Sequence, residues 1–377
     1  YYDYHKVPWR WAVDEDKQFV WKTNLLGGGQ LFHLIYRLSL LKTFEQFFYE
    51  LKLTNPNWQY SSGYKIGGDS RDRKNCKFIH GKPTVNGKKR FDKNKNEFDI
   101  IIENETKFEA PRNEELYKPP LLVIAKVLGE KIPMQLFDSY QTFNESLIGI
   151  HAPDEEYDKL FEIFNRFYIE NLTSSLYQVY MLSTSPKLLI NKQTTFIKKD
   201  FDNLPYPENR DYLSPSISES IIINDVLKYY RNLGDSINLG RKGYPLHQAP
   251  KPEDLKAFGE TYCNSLNEIY AEDNNSWQIG EVIHTDTFIS YQFGFGENGG
   301  LKYKYDKKDK VLDFKLLLEN YESNRGAMYK RIIRYYDHVN GYDCVYLIKP
   351  NSLRYWLKSI ALRDAGDTFM DLKKEGF

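Results

Sequence analysis

One lysine, two prolines and five apolar residues in a row, Lys118-Pro119-Pro120-Leu121-Leu122-Val123-Ile124-Ala125, constrain this chain more than any other stretch. Proline lacks the N–H a helix needs and stops one from running into the segment from upstream. An apolar run bounded by prolines on one side and Lys126 on the other predicts a strand buried on both faces. A second strand is expected over 134–140 and a turn over 149–153. A long helix should follow, with Phe161, Phe164, Tyr168, Leu172 and Val179 on one side. The stretch closes on Phe196-Ile197-Lys198-Lys199-Asp200-Phe201-Asp202-Asn203-Leu204-Pro205-Tyr206-Pro207.

That succession of proline-led strand, helix and proline-rich exit resembles the target-recognition region of bacterial adenine-specific DNA methyltransferases of restriction–modification systems. Ile197, Lys199, Asp200, Leu204, Pro205 and Pro207 carry most of the likeness. Arg354-Tyr355-Trp356-Leu357, continuing through Ser359, Ala361, Arg363 and Asp364, is similar to C-terminal regions of the same family. In that family a segment like residues 20–38 joins the catalytic domain to the recognition region. Three widely spaced cysteines with no pairing pattern fit a reducing cytoplasm. The resemblance implies a bacterial reader of double-stranded DNA. It implies an upstream methyltransferase domain holding S-adenosylmethionine, and a restriction nuclease domain or subunit as a further partner. The chain does not begin with methionine, and it is expected to be a piece of a longer protein.

The residues themselves argue against catalysis within this chain. Adenine methylation needs an Asn, Asp or Ser before a diproline and an aromatic ring after it, so that the flipped base is hydrogen-bonded and stacked. Here Lys118 precedes the diproline and Leu121 follows it, so neither a catalytic residue nor a bound cofactor is expected. Gly294-x-Gly296-x-x-Gly299 matches a dinucleotide fingerprint, but the charged, alternating residues 301–306 after it do not open a helix, and a turn is expected. Glu105-x-Lys107 near Asp99 vaguely suits a metal-dependent nuclease; a solvated end to a strand over 98–102 is the simpler reading. The seven histidines and three cysteines show no metal-binding spacing.

A length of 377 residues predicts two or three domains. The expected fold is α+β and multi-domain, with small mixed sheets, a helical entry and a helical spacer. The divisions are a helical entry at 1–54, a DNA target-recognition domain at 55–207, a helical spacer at 208–275 and a C-terminal α/β module at 276–377. In the entry, one helix should carry Leu31, Leu34, Ile35, Leu38, Leu41, Phe48 and Leu51. In the spacer, a helix opened by a Ser216-x-x-Glu219 capping box should pair with one opened by Pro252. The last module should hold strands over 280–283, 288–295 and 344–348, with helices near 313–321 and 327–338. No stretch approaches the ~20 apolar residues of a membrane helix.

Lysine and arginine (52) balance aspartate and glutamate (52), so any DNA face must be a local patch. Positive charge gathers among glycines and aromatics over 59–95. Arg71 and Arg73 are the candidates for reading bases there, with Lys74, Lys88, Lys89 and Arg90 for phosphates. Lys126, Lys192, Lys198 and Lys199 complete the candidate DNA-binding set. The competing expectation is a scaffold whose helices and 30 tyrosines dock another subunit without touching DNA.

Overall fold

A computed structural model describes residues 9–13, 19–26, 28–67, 76–86, 97–129, 131–188, 195–239, 245–307 and 333–377. The fold is α+β with small mixed sheets, divided into two units, Tyr1–Glu219 and Ser220–Phe377.

The first unit opens with α1 (Trp9–Val13), α2 (Val20–Leu26), α3 (Gly28–Ser39) and α4 (Phe44–Thr54). The single helix expected over 31–51 is two. Thr43 breaks it, because its hydroxyl accepts the Gln46 N–H (3.3 Å) while the Gln46 side chain accepts the Thr43 N–H (2.9 Å). This capping box starts α4 afresh and turns Phe44, Phe48 and Leu51 into the interior. Lys22 on α2 reaches the C-terminal end of α6 (Asn171–Thr184), donating to the carbonyls of Leu182 (3.3 Å), Ser185 and Leu188 (2.6 Å). An ammonium there answers both the unsatisfied carbonyls and the negative end of the helix dipole.

The main sheet of this unit is antiparallel, in the order β1 (Gln59–Ser62), β7 (Leu147–His151), β4 (Leu121–Ala125), β5 (Met134–Phe137). Residues 121–124 of β4 are 0% exposed, the two-sided burial their apolar run predicts. The turn expected at 149–153 is absent, since Gly149 lies in the middle of β7. Its glycine serves close approach instead: a Cβ there would meet the Phe143 ring at 2.1 Å. A second sheet has the order β3 (Ile100–Ile102), β2 (Pro83–Val85), β6 (Thr142–Phe143), with β2 and β6 parallel.

The long helix expected after the sheet is α5 (Tyr157–Phe164), a π-helical turn over Asn165–Ile169, and α6, interrupted at Glu170. It buries Leu160, Ile163 and Phe167, which leaves Phe161 outside. α7 (Lys198–Asp202) leads into the exit. The exit pairs with the start of α4: Phe44 N–H donates to Leu204 O (2.8 Å) and Tyr206 N–H to Lys42 O (2.6 Å). Phe44, fully buried, is met edge-on by Tyr60, Phe167, Phe201 and Tyr206 at centroid distances of 5.3–5.4 Å.

α8 (Ile217–Leu239) starts at the predicted capping box, with Glu219 N–H on Ser216 Oγ (3.1 Å) and Ser216 N–H on Glu219 Oε2 (2.8 Å). The second unit carries α9 (Pro252–Tyr270) and the sheet β10 (Lys304–Lys307), β8 (Asn275–His284), β9 (Phe288–Glu297), β12 (Tyr342–Pro350), β11 (Ile333–Val339). It ends in α10 (Lys358–Lys374). Only the β10–β8 pair is parallel. α9 is no spacer: Leu255, Phe258, Tyr262 and Leu266 lie in one core with Trp277, Val282, Tyr291 and Phe293 of the sheet. Its aromatic face needs a large apolar partner, and the sheet supplies one where a lone helix would not. A helix over 327–338 is also corrected. Residues 333–339 form β11 on β12, and the Arg334 side chain pairs with Asp371 (3.2 Å) of α10. The helix expected near 313–321 lies outside the described residues.

Lys349 and Asp364, both essentially unexposed, form an ion pair in this core. The Lys349 ammonium also donates to Tyr355 O (3.1 Å) and lies 4.3 Å and 4.8 Å from the Phe258 and Trp356 ring centroids. Burial pushes the lysine down to about 8, against the attraction of Asp364, which raises it. Between pH 8 and the ordinary 10.5 the unfolded chain therefore binds more proton, and this group makes stability rise with pH across that window. Asp364→Asn, leaving a buried ammonium unpaired, should destabilise the unit by about 3–5 kcal/mol, whereas Lys349→Met with Asp364→Leu should be near neutral. Hydrogen exchange of β12 and α10 amides measures both, and the alkaline rise should vanish in the double variant.

Candidate nucleic-acid interface

The first unit gathers cations beside β1. Tyr60 and Ser62 share one face of that strand, two residues apart. Lys126 follows the last residue of β4 and is held by its backbone on both sides. Its N–H donates to Ser146 O (3.3 Å), its carbonyl accepts the Phe196 N–H (3.1 Å), and Val127 bridges Thr195. The half-buried ammonium of Lys126 donates to Ser62 Oγ at 3.3 Å. Lys198 is the first residue of α7, a position fixed by Asp200, whose carboxylate accepts the Ile197 N–H (2.9 Å) and the Ser185 hydroxyl (2.8 Å). The Lys198 ammonium stands 3.7 Å from the Tyr60 ring centroid and 2.7 Å from Asp202 Oδ1, which also accepts the Tyr60 hydroxyl at 2.5 Å. Arg112, in the left-handed region at φ 73°, donates its Nε to Gly63 O (3.1 Å) just past the strand.

Burial pushes the Lys126 ammonium below its ordinary value; the Glu145 carboxylate is the strongest single charge acting on it and opposes that shift, while Arg112, Lys187 and Lys198 each add a smaller lowering. Three basic side chains thus stand along β1 and the residue after it, Lys198 at Tyr60, Lys126 at Ser62 and Arg112 at Gly63; Asp202 is engaged by Lys198 and Tyr60, and the Glu145 carboxylate acts on Lys126. A half-buried ammonium with a hydroxyl and further cations along the same strand can donate to a phosphate oxygen, an arrangement the Glu145 carboxylate opposes.

Of the predicted DNA-binding residues, Arg71, Arg73, Lys74, Lys88, Lys89, Arg90 and Lys192 lie outside the described residues. Lys126 and Lys198 come together. Lys199 does not join them; it pairs with Glu45 of α4 at 2.7 Å. Ser62, Arg112 and Lys187 carry no signal in the sequence, because 62, 112 and 187 are distant from one another and share no motif. The exit motif is explained by packing: Asp200 caps, Phe201 fills, and Pro207 O accepts Arg166 Nη1 (2.9 Å), whose guanidinium lies 3.9 Å over Tyr206.

Elsewhere, Lys118 before the diproline pairs with Glu115 (2.7 Å). Gly294 and Gly296 lie on β9, Gly299 is in a turn at φ 82°, and β10 comes next. Glu105, after β3, accepts the Thr106 and Lys107 N–H groups (2.9 and 3.0 Å), as a solvated strand end does. Among the described residues no three His, Cys, Asp or Glu side chains gather to hold a metal, and no helix is long and apolar enough to cross a membrane. Comparison with protein-family models, with curated proteins and with solved structures found no match to this chain.

Removing a neighbouring cation should relieve Lys126. In Lys198→Met its titration, followed by the NMR signal of its ε-carbon, is expected to move to higher pH; an unmoved midpoint would mean the two ammoniums do not sense each other.

Proposed function

We propose that this chain holds double-stranded DNA and reads its sequence for an adenine-specific methyltransferase of a restriction–modification system. In this reading the methyltransferase domain lies upstream and binds S-adenosylmethionine, a restriction nuclease domain or subunit is a further partner, and this chain performs no chemistry. The observation that supports it is the set of three cations along one strand and the residue after it: Lys198 at Tyr60, Lys126 at Ser62 and Arg112 at the Gly63 carbonyl. A chain with no net charge exerts no general attraction on DNA, so binding has to come from such a local cluster. The likeness of the flanking exit segment to target-recognition regions supports the same conclusion. Backbone contacts from this cluster would set the register, while side chains from neighbouring loops read base edges.

Binding to a specific and a random duplex over a salt series tests the proposal. Lys126→Ala with Lys198→Ala should weaken both alike and flatten the log–log salt slope by about 0.9 for each phosphate left without its lysine. Replacing Arg71 or Arg73 should cost about 1–3 kcal/mol on the specific duplex alone. An unchanged slope in the lysine double variant would remove the β1 corner from the DNA face.

A further inference from the structure

The outer side of α5 and its π-helical turn carries a ladder of aromatic rings. Tyr157 and Phe161 stand 6.3 Å apart and near-parallel, Phe161 and Phe164 are again 6.3 Å apart, and Phe164 and Tyr168 stack at 5.2 Å. Tyr157 is 45% and Phe161 40% exposed, so packing within the unit does not account for them; the helix buries Leu160 and Ile163 instead. The ladder runs inward to its last rung, Tyr168, which is buried. Lys131 places its ammonium 5.2 Å over the Tyr168 ring, whereas among the described residues no cation covers the other three.

Carboxylates outnumber basic side chains around the ladder. Residues 154–170 hold six carboxylates against two basic side chains. Both bases, and three of those carboxylates, are already engaged: Lys159 with Glu156, Arg166 with Glu162, and Glu162 and Glu170 with Arg210. Asp154 and Asp158 are in no ion pair among the described residues. The excess of carboxylates disfavours phosphate. Planar guanidinium groups satisfy both features, lying flat on aromatic faces and pairing with carboxylates.

We propose that this ladder is a docking surface for an arginine-bearing amphipathic helix of a protein partner. Arginine side chains stack on Tyr157, Phe161 and Phe164 and pair with Asp154 and Asp158, while apolar side chains of the helix cover the ring edges. This lies beyond DNA reading and assigns protein contact to α5 of the same unit.

The test is fluorescence anisotropy of the whole chain with a labelled helical peptide bearing arginines on one face and leucines on the other. Its counterpart with citrulline in place of arginine is the control. The arginine peptide should bind and the citrulline peptide should bind at least about tenfold more weakly, the scale of one desolvated cation–π contact. Phe161→Ser and Tyr157→Ser should each cause a similar loss with the melting temperature unchanged, because both rings are exposed, and Asp158→Asn should weaken binding and its salt dependence. Equal binding of both peptides, or affinity indifferent to both ring substitutions, overturns the proposal. A loss of duplex or single-stranded DNA affinity in Phe161→Ser would overturn it too, making the ladder a base-stacking platform.

Discussion

The first unit turns on one ring. Phe44 begins α4, immediately after the Thr43 cap, and four other aromatic rings meet it edge-on from β1, the π-helical turn, α7 and the exit. Edge-to-face contacts put the positive rim of one ring on the negative face of another, and they fix direction as well as distance. The backbone does the same work alongside, since Phe44 N–H binds Leu204 O and Tyr206 N–H binds Lys42 O. With that cluster in place Tyr60 and Phe201 are immobilised. Tyr60 and the helix bearing Phe201 in turn hold Lys198. The cationic corner is therefore a consequence of aromatic packing one layer beneath it.

The two units handle buried charge differently. In the first, Asp200 and Asp202 sit at the edge of the interior and turn their oxygens to backbone N–H, hydroxyl and ammonium donors, as buried carboxylates must. In the second, Lys349 and Asp364 are enclosed between Phe258, Trp356 and the Tyr355 carbonyl. Asp225 adds a carboxylate at the start of α10, accepting the Ser359 N–H at 2.8 Å. That helix is thus placed at its first turn by α8 and at its middle by a pair with β12.

Legibility in the sequence follows locality. β4, the Ser216 capping box and the Pro252 start of α9 are each announced by residues within a few positions, and each appears where those residues place it. Sequence and structure part where a distant partner decides. Gly149 reads as a turn because nothing nearby says that Phe143 needs the space above it. The 333–339 segment holds aromatics and charges that suit a helix, until pairing with β12 draws it into the sheet. α9 has one apolar face in either arrangement, and only the sheet's matching aromatics tell which partner it takes. For the candidate site the same limit holds: Lys126 and Lys198 stand out in the sequence, but Arg112 reaches Gly63 only through the folded chain.

The pairing of β1 with β7 and of Thr43 with Pro205 has a consequence for the order of events during synthesis. Strand β1 finds its neighbour nearly ninety residues downstream, and α4 cannot close its ring cluster until Tyr206 has left the ribosome. Contacts this far apart along the chain are slow to form, since the intervening loop must first lose its freedom. Until then the Phe44 side of α4 lacks its last partners, whereas β4 already has β5, β7 and core residues between 64 and 147. Closure of the Phe44 ring cluster therefore waits on the emergence of the proline-rich exit.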